Sequence, residues 1–302
     1  MPAGRLILID GHGVMYRAFH AIPGLCTSAG QPTNAVFGMV RLLRQIRSRL
    51  RPTHWAVTFD GGMSERRRRL LESYKAQRPP MPDALRGQFA VVQEYLDLEG
   101  IAWIRQEGEE ADDVMATFAA IASREGADVR LVTSDKDLCQ LVDERIRVVA
   151  PGELDRELDT EAVREKMGVI PGRIVEWLAL TGDSVDNIEG VPGVGPKTAT
   201  RLLDEYGGIA NLLDRLDSVE PVRIRETLRT HRDRVRLNLE LVALKCDLAL
   251  PVAWTSMTAG AGNPERVLPF FRRMEFGSLV REFEKEVAKS PPLGLDTGCG
   301  RP

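Results

Sequence analysis

The chain has 302 residues, 43% of them hydrophobic, with a formal net charge of −3. That length buries a substantial core in one large or two smaller domains, and the apolar fraction excludes wholesale disorder. The near-neutral balance argues against a generic polyanion binder, so any nucleic-acid contact has to come from local clustering of charge.

Arg5–Asp10 reads as a buried strand. Residues 34–50 show helical spacing through Val36, Val40, Leu43 and Ile46. A second strand spans 54–60, and a charged helix over 64–74 is broken by Pro79-Pro80-Met81-Pro82. An amphipathic helix over 84–98 runs through Leu85, Phe89, Val92 and Leu96 and stops at Gly100. Then come strand 101–104, helix 110–124 and strands 129–133 and 146–149. Strand and helix alternate up to residue 150, which predicts an α/β fold: a mostly parallel sheet with helices on both faces. After Pro151 the pattern turns helical, with a second region over 160–287 and a tail, 288–302, of disordered composition.

Charge is distributed unevenly. Residues 41–78 hold 11 Lys/Arg against 3 Asp/Glu, whereas five of the seven residues from Glu107 to Asp113 are acidic. A basic stretch beside an acidic pocket suits a phosphate-rich substrate delivered to bound metal. The cysteines Cys26, Cys139, Cys246 and Cys299 form no CxxC pair, which argues against a zinc site or disulfide framework and fits a reducing cytoplasm. Only four apolar residues separate Arg5 from Asp10, too few for a signal core, and no apolar run approaches the roughly 20 residues of a membrane span. A cytoplasmic, nucleoid-associated protein without membrane contact is the expectation.

The acidic residues sit where strands end. Asp10, Asp60 and Asp135 each follow a strand, Asp137 comes two residues later, and Glu110, Asp112 and Asp113 open a helix. In a parallel sheet the strand C-termini share one edge, where ligand sites form. So many carboxylates repel one another unless cations lie between them. Two Mg²⁺ ions roughly 4 Å apart activate water and stabilise a leaving oxygen in phosphodiester hydrolysis. Helix capping explains Glu110 or Asp113 singly, but not three acid-ended strands.

Two further segments point to nucleic acid. In Glu65-Arg66-Arg67-Arg68-Arg69 the arginines cover every helix face, so several can meet phosphates, and Tyr74 beside Lys75 offers a stacking ring next to a phosphate contact. Gly190-Val-Pro-Gly193-Val-Gly195-Pro196-Lys197-Thr198-Ala199 has P-loop glycine spacing, but Pro196 stands where Lys is required, which rejects nucleotide binding. A Gly-rich hairpin entering a helix at Lys197 and Thr198 presents amides to a phosphodiester instead. The histidines lack metal-ligand spacing and read as structural or surface residues. The basic run Arg223–Arg236 extends the nucleic-acid track or forms a solvated helix.

Together these residues resemble the 5′-nuclease (flap endonuclease) family, and are most similar to the 5′–3′ exonuclease that forms the N-terminal domain of bacterial DNA polymerase I. The resemblance runs from about Leu6 to about Leu250. It rests on Asp10-Gly-His-Gly-Val-Met-Tyr16-Arg17-Ala-Phe19, Phe59-Asp60, Tyr74-Lys75-Ala-Gln-Arg78, Glu110-Ala-Asp112-Asp113, Thr133-Ser-Asp135-Lys-Asp137-Leu, Thr181-Gly-Asp183-Ser-Val-Asp186-Asn187 and the hairpin. It implies a PIN-like or resolvase-like catalytic domain over 1–159, with a helical arch at about 63–85, and a helix-hairpin-helix DNA-binding region over 160–287. The first metal site would use Asp10, Asp60, Glu110 and Asp112 with Asp113 nearby, and the second Asp135, Asp137, Asp183 and Asp186. Mg²⁺ is the implied ion, with Mn²⁺ as a substitute. Lys75 and Arg78 would contact the scissile phosphate. Tyr16, Arg17, Tyr74 and the hairpin residues Gly193, Val194, Gly195, Pro196, Lys197 and Thr198 would contact DNA. A K⁺ ion would lie on the carbonyls of Leu180, Thr181, Glu189, Val191 and Val194. The implied substrates are a 5′ flap, a pseudo-Y, a 5′-ended duplex or an RNA–DNA hybrid, in replication and repair. No polymerase follows residue 302, so a stand-alone enzyme or an excised domain is expected. The competing readings are a catalytically silent, structure-specific DNA-binding protein and a PIN-type ribonuclease.

Overall fold

The computed structural model describes residues 4–260, 262 and 264–289. Its centre is a six-stranded sheet of β1 (Arg5–Asp10), β2 (His54–Phe59), β3 (Ala102–Arg105), β4 (Asp128–Val132), β5 (Ile146–Val149) and β6 (Glu157–Leu158). The order is β3-β2-β1-β4-β5-β6, with the first five strands parallel and β6 antiparallel at the edge. In β1, Leu6 and Leu8 join one core and Ile7 and Ile9 the other, all 0% exposed. A period of two with apolar residues at every position is what a strand covered on both faces requires.

Helices Gly11–Ala21, Asn34–Arg49 and Phe89–Glu99 cover one face, together with the pair Pro264–Arg273 and Gly277–Lys289. Phe270 and Phe271 of the pair and Phe276 in the turn between its helices join that core. On the opposite face Ala111–Arg124 packs in a core that runs without interruption into the helical region as far as Met257. The residues after the sheet therefore brace its edge rather than hanging from a linker.

Two expected helices are shorter than their sequence pattern. The helix expected over 64–74 is Glu65–Leu70, capped by Ser64, and Leu71 turns extended (φ −142°, ψ 103°). The helix expected over 84–98 is split into Asp83–Arg86 and Phe89–Glu99. Gln88, at the break, is buried and accepts the N–H groups of Ala35 and Val36 at 2.8 and 3.2 Å. It thus serves the orphan donors of another helix. The tail expectation for 288–302 is corrected at its start, because helix Gly277–Lys289 includes residues 288 and 289. Residues 290–302 lie outside the described residues. Among the described residues no helix is long and apolar enough to cross a membrane.

Candidate metal centre and nucleic-acid interface

Strand connections run outward from β1 to β2 and β3, then cross back to β4. The switch point of the sheet therefore lies between β1 and β4, where open α/β sheets form their crevices. Asp10 ends β1 there and caps helix Gly11–Ala21. Its Oδ1 accepts the Gly13 N–H at 2.8 Å and its Oδ2 accepts the Thr133 hydroxyl at 3.2 Å. Asp60 follows β2 and accepts the Ala111 N–H at 2.9 Å. Asp112 lies in the first turn of the next helix, and among the described residues no donor reaches its carboxylate. Asp135 follows β4 and accepts the Asp137 N–H at 2.8 Å.

These four acids share one electrostatic site. Burial, then the charges of Asp60 and Asp135, push Asp10 up to about 6. Burial, then Asp135, Asp10 and Asp60, hold Asp112 well above the ordinary carboxylate range. Burial and Asp135 likewise push Asp137 up to about 7. His12, which the sequence marked only as structural or surface, holds this edge. The Asp60 N–H donates to its Nδ1 at 3.0 Å, so that nitrogen is an acceptor. Burial keeps its pKa low, and its ring stacks on Phe89. The 3.4 Å approach of Nδ1 to Asp60 Oδ2 is therefore not an ion pair.

Asp183 ends β7 (Gly182–Asp183), which pairs with β8 (Ile188–Glu189), and Asp186 lies in the intervening turn. Lys136 Nζ donates to Asp183 at 2.6 Å. The segment 71–78 lies against this turn. The Lys75 N–H donates to the Asp186 carbonyl at 3.0 Å, Gln77 to the Ser184 carbonyl and Asn187 to the Ser73 carbonyl. Lys75 adopts a left-handed φ of 55°, strained for a side chain of its size and held by these bonds. Lys75 Nζ donates to Glu110 at 2.8 Å, and Arg78 donates to Asp186 at 2.7 Å.

Three sequence expectations need correction. Tyr74 is 2% exposed, and its hydroxyl faces Glu110 and Asp186, each at 3.0 Å. A ring sealed in the core cannot stack on a base. Arg67 is 3% exposed and paired with Glu110 and Asp113, so the arginine run does not turn every member toward phosphate. Asp113 is 0% exposed, and both its oxygens are taken by Arg67, with the Lys245 N–H added at 2.9 Å. Full enclosure and three hydrogen bonds turn Asp113 into the core as the anchor of Arg67, against the expectation that it lies among the metal ligands.

Among the described residues, no three acidic, histidine or cysteine side chains close on a common point. Lys75, Arg67, Arg78 and Lys136 draw several carboxylates toward themselves, and mutual repulsion spreads the rest. The donor set nevertheless fits a hard divalent cation. It is all oxygen. Asp137 Oδ1 is buried without a hydrogen-bond partner, with only the Lys136 ammonium at 3.4 Å. Asp10, Asp112 and Asp137 all have raised pKa values, a cost that bound cations relieve.

Beyond the second acid group the chain enters the Gly-rich hairpin. Gly193 has φ 78°, and Pro196 opens helix Pro196–Tyr206. Gly193, Gly195, Pro196 and Lys197 are exposed and Thr198 partly so. Val194 is 3% exposed and its N–H is bonded to the Val191 carbonyl, so neither its side chain nor its amide faces outward. Arg234 donates to the Gly190 carbonyl and pairs with Glu189 at 3.1 Å. In the Arg223–Arg236 run, Arg225, Arg229, Arg232 and Arg236 are likewise paired with acids. On the first helix Arg17 is exposed and lies over Gly152, whereas Tyr16 is partly buried with its ring beside that of His20.

Residues 5–168 match the family model described as 5′-3′ exonuclease, N-terminal resolvase-like domain, and residues 169–265 match 5′-3′ exonuclease, C-terminal SAM fold. The chain belongs to the 5′–3′ exonuclease family. A 5′–3′ exonuclease of Aquifex aeolicus is 37% identical over 280 residues, 93% of this chain and 95% of that one. The thermostable DNA polymerase I of Thermus thermophilus is 41% identical over 293 residues, 96% of this chain but 34% of the polymerase. The chain thus spans about a third of the polymerase relatives it matches. The fold is shared with a bacteriophage T5 flap endonuclease solved with DNA and metal ions (TM-score 0.66, 21% identity, 94% and 98% of the two chains). It is also shared with the catalytic core of Rad2 in complex with DNA substrate (TM-score 0.62, 15% identity, 96% and 93%). The family takes its description from 5′–3′ exonucleases, enzymes that hydrolyse phosphodiester bonds.

Proposed function

We propose that this member of the family hydrolyses DNA phosphodiesters at 5′ ends and 5′-flap junctions, leaving a 5′-phosphate and a 3′-hydroxyl, in flap or primer removal during replication and repair. The observation that carries the reading is the meeting of Lys75 and Arg78 with Glu110 and Asp186 at the acid-rich sheet edge. Two cationic side chains are held against the carboxylates, where a phosphate could replace them, and the hairpin begins a few residues beyond Asp186. Asp10, Asp60, Glu110 and Asp112 would hold one Mg²⁺, and Asp135, Asp137, Asp183 and Asp186 another, with Mn²⁺ able to substitute. Bound ions supply Lewis acidity and a more acidic water.

The chain's own groups do the rest. Lys75 and Arg78 exchange their carboxylate partners for the scissile phosphate and stabilise charge developing on its oxygens. Burial alone would lower the Lys75 pKa, but Glu110 and Asp186 outweigh it and keep the ammonium charged. Lys197, Thr198 and the helix N-terminus behind Pro196 position the duplex arm through its backbone. Arg17 contributes a further exposed cation on the β1 side. A K⁺ ion between hairpin and phosphate would use free carbonyl lone pairs. The Leu180 and Val191 carbonyls each accept a backbone N–H and the Glu189 carbonyl the Asn238 amide, and a carbonyl oxygen carries two lone pairs. The test is Asp135→Asn, which should abolish flap cleavage and retain DNA binding. Full cleavage by this variant would remove Asp135 from the metal site.

A further inference from the structure

Arg67 is buried on the same helix face as Leu70, three residues on, beside Leu71 where the chain leaves the helix. All five of its N–H donors are engaged. Nε donates to the Leu241 carbonyl at 2.9 Å. One terminal nitrogen donates to Glu110 Oε2 at 2.9 Å and Asp113 Oδ2 at 2.6 Å. The other donates to Asp113 Oδ1 at 2.9 Å and the Ala243 carbonyl at 3.3 Å. A guanidinium has five donors in a rigid fork, so this group has no orientational freedom left.

The anchors are unequal. Asp113 is fully enclosed and grips the fork through both oxygens, while the carbonyls of Leu241 and Ala243 fix it from beyond helix Ala111–Arg124. Glu110 receives a single bond from the fork, on Oε2, which also accepts the Tyr74 hydroxyl at 3.0 Å, and its other oxygen faces Lys75. The fork is thus fixed by Asp113 and the two carbonyls, and in turn, together with the Tyr74 hydroxyl, it holds Glu110 Oε2. Stability alone does not account for it. A buried ion pair generally contributes no more than apolar packing of similar volume, and this helix face is otherwise apolar.

We propose that Arg67 is a positioning residue: anchored on Asp113, it orients the Glu110 carboxylate toward the acid cluster. The inference rests on the metal-dependent reading above. Partners that orient metal-binding carboxylates commonly change metal affinity or activity by about 10- to 100-fold when removed.

Arg67→Lys keeps the charge and loses the fork. Mn²⁺ binding is followed by loss of the free-ion electron paramagnetic resonance signal, beside flap-cleavage kinetics and thermal melting. Arg67→Lys should raise the Mn²⁺ Kd by about tenfold or more and lower kcat with little change in KM for DNA. Repeated on a Glu110→Gln background, the same change should have almost no further effect on Mn²⁺ binding. A folded Arg67→Lys protein with wild-type Mn²⁺ affinity overturns the inference, as does an equal effect on both backgrounds. Should Arg67→Lys fail to fold, the double change Arg67→Met with Asp113→Leu replaces the buried pair by apolar groups and decides in its place. A tenfold loss of Mn²⁺ affinity supports the inference and wild-type affinity overturns it. Failure of the wild type itself to bind Mn²⁺ or cleave would instead sink the metal-dependent reading.

Discussion

Gly13 stands three residues after Asp10, in the first turn of helix Gly11–Ala21. Its conformation is helical, so alanine there meets no backbone strain. A methyl group would, however, lie 2.1 Å from Asp10 Oδ2 and 2.8 Å from Asp10 Cγ. Non-bonded heavy atoms settle at about 3.5–4.0 Å, so the carboxylate has to withdraw by on the order of 1 Å. Rotating a short side chain is easier than moving a central strand. Alanine is also a better helix former than glycine by about 1 kcal/mol, which offsets the clash. Gly13→Ala should therefore leave Tm within a few degrees of wild type. A misplacement of about 1 Å at a reacting centre can cost roughly 10²-fold in rate, and kcat on a 5′-flap substrate should fall by that order. Stopped-flow cleavage of a fluorescent flap and calorimetric melting measure the two quantities. A stable variant with kcat within twofold of wild type would refute the placement of Asp10 in the reaction.

Other consequences follow from the same geometry. Asp10 and Asp137 hold their protons up to about 6 and 7 in the folded chain, far above the usual 3.8. The native state then binds protons that the unfolded state releases, so the stability they contribute is lost as pH rises through those values. In chelator, Tm should rise as pH is lowered from about 8 to 6.5, before His12, whose pKa is depressed, opposes the trend. Saturating Mg²⁺ should flatten the rise, and a falling Tm over that window would contradict it. Lys197→Ala should weaken duplex binding uniformly across sequences and reduce the log–log salt slope by about 1, with an unchanged slope counting against a phosphate contact.

Acid-ended strands were readable because β1 and β2 are apolar at nearly every position and stop at a single charge. Their order was not readable, since nothing local tells that β4 lies beside β1 rather than beyond β3. Tyr74 was misread for a similar reason. A tyrosine beside a lysine in a basic stretch looks exposed until the fold brings Glu110 and Asp186, 36 and 112 residues away, to its hydroxyl. Arg67 carried a signal that could have been used: it shares helical spacing with Leu70 and Leu71, so it belongs to the inward face. His12 carried none, because its work is to accept a backbone N–H. Asp113 looked equivalent to Asp112 in sequence. One residue of helix is 100°, enough to turn one carboxylate to the cluster and the other into the core.

The central claim is metal-dependent cleavage directed from a 5′ end. Product mapping on a flap labelled at its 5′ terminus, with Mg²⁺ and with chelator, tests it most directly. The expected result is release of a short labelled product ending in a 3′-hydroxyl, cut near the flap base, with Mg²⁺ only. Label remaining on the full-length strand in Mg²⁺, equal release in chelator, or degradation beginning at the 3′ end would contradict the account.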